Sequence, residues 1–223
     1  SDTMGIDSRS APGGNAADNV FIGGGALQFN GSGNNFAAGT DAGRYATNAH
    51  YSTFISQSAG SAAWNAVNSQ FNGRSAGQNA NGAEFSEFIG DGAGKNATNA
   101  MHSVFIGPYS GYDAALAKWD VFLGDSAGLS ATNVSKSVLI GYAAGANSTN
   151  TLTNVVAIGS EVNPVDDRTF VINTNVTLLI GGESTNTAAI RLTPTGNVIA
   201  TGTFTGNGAG MTNLVPSALP NPL

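Results

Sequence analysis

The tightest constraint on this chain is a block that keeps returning. Val104-Phe105-Ile106-Gly107 recurs as Val121-Phe122-Leu123-Gly124 and Val138-Leu139-Ile140-Gly141, and earlier as Val20-Phe21-Ile22-Gly23 and Phe88-Ile89-Gly90. Its last position runs Gly23, Gly39, Ser56, Gly73, Gly90, Gly107, Gly124, Gly141, Gly159, at intervals of 16, 17, 17, 17, 17, 17, 17 and 18. A fixed period of this length means stacked units, each too small to bury an apolar face alone.

The unit reads F-I-G-x-x-A-G-x-x-A-T-N-A-x-x-S-V. It lacks the i, i+3, i+4 apolar spacing of a helix, and two glycines per unit would each cost a helix about 1 kcal/mol. Short Val/Phe/Ile runs bounded by Gly read as strands. The expected fold is therefore all-β: a parallel β-roll or β-solenoid of about nine 17-residue coils. Each coil is expected to hold one apolar strand, a Gly-rich turn and a second small-residue strand around A-T-N-A. The organisation expected is an N-terminal arm at 1–18, the repetitive roll at 19–163, a β connector at 164–189 and a stem with a Pro-rich tail at 190–223.

The strand residues alternate faces, so Phe105 points one way and Val104 and Ile106 the other. Both faces are apolar in most copies. One fills the roll and the other needs a cover, because a bare ladder of large apolar side chains exceeds what soluble monomers expose. Phe54, Phe71, Phe88, Phe105, Phe122, Ile89, Ile106 and Ile140 are therefore assigned to the core and a subunit seam, leaving open which column takes which role. The Asn column (Asn48, Asn65, Asn99, Asn133, Asn150) is expected to stack as an amide ladder.

Composition excludes several classes. Charged residues are only 10% and the net charge is -6, which disfavours nucleic acid and anionic membranes. The chain has no cysteine and no 18-residue apolar run, so neither thiolate metal sites nor membrane insertion through a helix is expected. His50 and His102 lie three coils apart, too far to share a metal within one chain. Asp41, Asp91 and Asp125, at or near the column glycine, are read as turn chemistry rather than calcium ligands. Among the many serines and glycines there is no nucleophile elbow, P-loop or dinucleotide fingerprint, so no catalytic residues, cofactor or enzymatic activity are expected. Tyr45, Trp64, Tyr109, Tyr112 and Trp119 fall at variable positions and are the candidate receptor contacts. The other reading is that they cover seams.

The (S/N)-V-(F/A)-I-G block followed by Ala-Gly resembles the YadA-like β-roll head of trimeric autotransporter adhesins. It is more similar still to related repeats of phage tail fibres and bacterial surface fibres. Residues 194–214 resemble the segment that often follows such repeats, commonly leading into a cleaved C-terminal chaperone domain. One departure is the period, which is shorter in the adhesin heads. The resemblance implies a homotrimeric, non-enzymatic fibre at the cell surface, outside the cell or on a virion, with a surface glycan or cell-surface receptor as partner. The alternative is a structural subunit that polymerises end to end into an extracellular filament without a receptor. A third reading, an ice-binding array on Thr47, Thr98, Thr132 and Thr149, is interrupted by Trp64, Asn81 and Ala115.

Overall fold

The structure is a computed structural model, and it describes residues 4–7 (backbone), 19–28, 33–149, 151–164 and 166–172. The stem and tail at 190–223 and most of the connector lie outside the described residues. Thirteen strands and no helix occur among them. They are β1 Met4–Asp7, β2 Asn19–Ile22, β3 Phe36–Ala38, β4 Thr53–Ile55, β5 Gln70–Asn72, β6 Glu87–Ile89 and β7 Val104–Ile106. The rest are β8 Val121–Leu123, β9 Val134–Ser135, β10 Val138–Ile140, β11 Leu152–Thr153, β12 Val156–Ile158 and β13 Phe170–Ile172.

One sheet runs β1-β2-β3-β4-β5-β6-β7-β8-β10-β12-β13. From β2 onward every neighbour is parallel and in register, so Phe54 faces Phe71, Phe88 faces Phe105 and Phe105 faces Phe122. The chain is a β-solenoid of about nine turns. Two features differ from the expected organisation. Met4–Asp7, within the arm, pairs antiparallel along β2. Phe170–Ile172, expected in a separate connector, instead adds a further parallel rung to β12. That last coil is shorter, since Ile158 pairs with Ile172.

In the coils from Thr47 to Thr132 the second strand shrinks to a single residue, while farther on Val134–Ser135 and Leu152–Thr153 pair in parallel as a second, two-stranded sheet. Thr47, Trp64, Asn81, Thr98, Ala115 and Thr132 form one column of parallel bridges. Left-handed residues on both sides stop the strand from growing. Asn79 and Gly82 bracket Asn81, and Asn96 and Asn99 bracket Thr98, all at positive φ. This is the main reason for Asn in the unit: it tolerates the left-handed corner better than most residues. A side-chain ladder is added only in places. Asn48 Nδ2 donates to Asn65 Oδ1 (2.6 Å), whereas Gly82 and Leu116 break that column. A second run links Asn79 to Asn96 (3.0 Å) and Asn96 to Asp113 (2.9 Å). Asn150 lies outside the described residues.

The two faces of the sheet take different roles. Phe54, Phe71, Phe88, Phe105 and Phe122 are wholly buried inside their own chain. Their rings stack at centroid distances of 5.4, 5.3, 4.8 and 4.7 Å. They are core, not seam. Ile89, Ile106 and Ile140 point outward and are half-buried. The interior is one side chain deep, so volumes on its two walls must match. As the Phe column shrinks to Leu139 and Ala157, the opposite column grows from Ala117 to Val134 and Leu152. Glycine supplies the remaining clearance. At Gly94 (φ +61°) a Cβ would come within 3.0 Å of the Phe88 ring, and Gly111 (φ +63°) stands in the same relation to Phe105.

A buried polar ladder runs beside the rings: Asn35, Ser52, Ser69, Ser86, Ser103, Asp120 and Ser137. Ser69 Oγ donates to the Ala83 carbonyl and accepts the Ser86 N–H (3.2 Å). Ser103 Oγ donates to Ala117 (3.0 Å) and accepts from Asp120 N–H (3.2 Å). Asn35 Nδ2 donates to Ala49 in the same way (2.6 Å). Asp120 keeps the accepting half, taking the Ser137 N–H on Oδ1 (2.8 Å), while its buried Oδ2 has no partner. An ionised carboxylate cannot donate. Burial pushes the Asp120 carboxyl up to about 7, against a smaller lowering by the Ser137 N–H.

Two tests follow from this interior. Gly94→Ala should destabilise by roughly 3 kcal/mol through left-handed strain and overpacking against Phe88. Gly24→Ala, which meets nothing within 4 Å, should leave the urea midpoint unchanged. Because Asp120 is protonated more readily folded than unfolded, its contribution is fully present below about pH 4. It is lost as the pH rises toward 7, a span worth a few kcal/mol. Asp120→Asn, which restores a donor, should flatten that slope and raise the melting temperature at pH 8. An unchanged pH profile in the variant would contradict the assignment.

Candidate recognition surface

Parallel, in-register coils place equivalent residues about 4.8 Å apart. Every corner position therefore becomes a ladder on the outside of the solenoid. One corner is unusual. Asn34, Tyr51, Asn68, Phe85, His102, Trp119, Lys136, Asn154 and Arg168 all occupy it, with φ between 52° and 62°. Asn is at home in this conformation, whereas bulky residues there are outliers that cost about 1–2 kcal/mol each. Yet Tyr51, Phe85 and Trp119 hold it while more than half exposed.

Their rings are ordered by the coil spacing. Phe85 and His102 stack at 5.1 Å with planes 2° apart, and His102 and Trp119 stack at 6.0 Å, again at 2°. Lys136 Nζ lies 5.8 Å from the Trp119 ring centroid, within cation–π reach. Next to this ladder, on the strand side, lies an open groove of about 470 Å³. It is lined by Tyr51, Thr53, Asn68, Ser69, Gln70, Phe85, Ser86, Glu87 and Val104.

The candidate contacts named from the sequence are all at least partly exposed, but they do not converge on one place. Tyr45 packs under the Arg44 guanidinium (4.8 Å), which is held by Asp41 (3.0 Å). The Arg44 side chain is partly buried; desolvation lowers its pKa, but hydrogen bonding and charge from Tyr45 and Asp41 outweigh that and raise it above the usual guanidinium value. Tyr109 and Tyr112 meet edge to face at 6.0 Å, and Lys95 Nζ lies 5.8 Å from the Tyr112 ring centroid. Trp64 stands on the bridge column, between Thr47 and Asn81. This column also shows that the threonines do not form an unbroken array. Only Trp119 belongs to the stacked corner.

Phe85 and Tyr51 were missed as recognition residues, and His102 was weighed only as a metal ligand. The signal was present: reading down the position two residues before the Val column, rather than along each unit, lines up Tyr51, Phe85, His102 and Trp119. The corner mixes Asn, aromatic, His and Lys, so no consensus letter marks it. Compared with protein-family models, curated proteins and solved structures, the chain matches none.

Since Asn34, Asn68 and Asn154 already hold this corner, Phe85→Asn should leave the unfolding free energy unchanged or raise it by up to about 1 kcal/mol of relieved strain, read from urea melts. A marked loss of stability would mean that the ring is there for packing.

Proposed function

We propose that this chain is a non-enzymatic segment of an extracellular or virion-borne attachment fibre, assembled as a homotrimer, whose corner ladders contact a surface receptor. The observation that carries it is the solvent-facing aromatic corner. Tyr51, Phe85 and Trp119 sit in a backbone conformation that costs stability and bury little in return. Strain of this kind is typical of positions kept for function.

The trimer draws support from the outward face of the sheet. Ile89, Ile106 and Ile140 form a half-buried apolar row, flanked by Val104, Val121 and Val138. Covering it with the same face of two further copies would remove that row from water at about 25 cal/mol per Å². The alternative of a filament joined rung on rung finds less support, because β1 pairs along the edge that β2 would otherwise present.

Light scattering coupled to size exclusion is expected to give three times the 22.3 kDa chain mass. Ile106→Glu should reduce this to monomer with the far-UV spectrum intact, because Ile106 faces outward. Phe105 cannot serve as the probe, since its ring lies in the interior and a charge there would unfold the coil. A wild-type monomer would refute the trimer, and an open-ended, concentration-dependent mass would favour the filament.

A further inference from the structure

The stacked corner has a gap. Phe85, His102 and Trp119 occupy three successive rungs, and Tyr51 occupies a rung on the other side of Asn68. The Phe85 ring stacks face to face on His102, so its opposite face is turned along the ladder toward Asn68. Tyr51 and Phe85 are two coils apart, about 9.6 Å. That leaves room for one ring between them, its mean plane about 4.8 Å from each aromatic. Both aromatics line the groove beside the gap.

The wall of the groove changes character at the same level. The Val column is apolar at Val20 and Phe36 and again from Val104 onward, but reads Thr53, Gln70 and Glu87 across the gap. With Asn68 these give two carboxamides, a hydroxyl and a carboxylate facing one space. The groove volume falls within the range of small-ligand sites, roughly 300–1,000 Å³. Two flat apolar faces with amides and a carboxylate between them match a pyranose. Its C–H faces stack on aromatic rings while its equatorial hydroxyls donate to Glu87 and exchange hydrogen bonds with Asn68 and Gln70. Neither Lys nor Arg lines the groove, and Glu87 would repel a sialic or uronic acid carboxylate.

Resting on the attachment reading above, we infer that the slot between Tyr51 and Phe85, floored by Asn68 and edged by Gln70 and Glu87, binds an uncharged sugar unit of a surface glycan.

The test is saturation-transfer NMR and calorimetry on the assembled wild-type protein. The probes are neutral tetrasaccharides (of glucose, mannose, galactose and N-acetylglucosamine), with sialyllactose and tetragalacturonate as acidic counterparts. Adhesion to intact cells is scored in parallel. At least one neutral probe should bind and the acidic ones should not. Tyr51→Ala and Phe85→Asn should each weaken that binding about tenfold or more, as loss of a stacked anchor does. Gln70→Ala should also weaken it, and Tyr142→Ala, an exposed side chain outside the groove, should leave it unchanged. Neutral-sugar binding that survives the Tyr51 and Phe85 variants but fails in Tyr142→Ala would overturn the slot and leave the attachment reading standing. So would adhesion to cells without binding of any neutral probe, or a preference for the acidic ones. Absence of both adhesion and sugar binding would overturn both.

Discussion

The structure depends on how little room there is inside. A coil whose interior is one side chain deep can hold a phenylalanine only if the position packed against its ring carries no side chain. Gly60, Gly77, Gly94 and Gly111 provide this, each set against the ring of its own coil. The same residues supply the left-handed turns that bring the backbone round. Register then follows, because a coil displaced by one residue would set a Cβ against a ring. With register fixed, every other position stacks on its equivalents above and below. The serine ladder, the half-buried isoleucine row and the exposed corner are all products of that stacking.

The ladders divide labour by depth. Inside, a position must satisfy neighbours in two coils at once. Serine does so because its hydroxyl both donates and accepts, and Asp120 shows what is missing when a group can only accept. Outside, a corner needs only a residue that tolerates positive φ. Asparagine meets that requirement with the least strain among non-glycine residues, which leaves the position free to spend stability on something else. Recognition groups can therefore be placed on a corner without disturbing the ring stack beneath it.

Much of the fold was legible in the residues. The period set the number of coils, and the Val-Phe-Ile run set the strand. What escaped had a common cause: a repeating letter states a requirement without saying which one. Asparagine was read as a hydrogen-bonded ladder, but its recurrence mainly reflects left-handed corners, and the amide bonds form only where two Asn, or Asn and Asp, happen to adjoin. The A-T-N-A block looked like a strand, yet corners on both sides cut it to one bridging residue. Phe and Ile were indistinguishable as apolar columns, because alternation tells that two faces differ and not which is inside. The aromatic corner was hidden for the opposite reason. Its residues share a conformation and no chemistry, so comparison unit by unit passes over it.

The opposed columns that trade Phe122, Leu139 and Ala157 against Ala117, Val134 and Leu152 bear on how such a rod can change length. Between Phe54 and Phe122 successive coils present the same ring-and-glycine cross-section, so duplicating or deleting one there joins like to like. Beyond Phe122 the cross-section tapers, and a copy inserted at that point would set an enlarged wall against an undiminished ring. Growth by duplication is thus confined to the coils between Phe54 and Phe122, while the tapered coils that follow behave as a fitted group that must be inherited as a set.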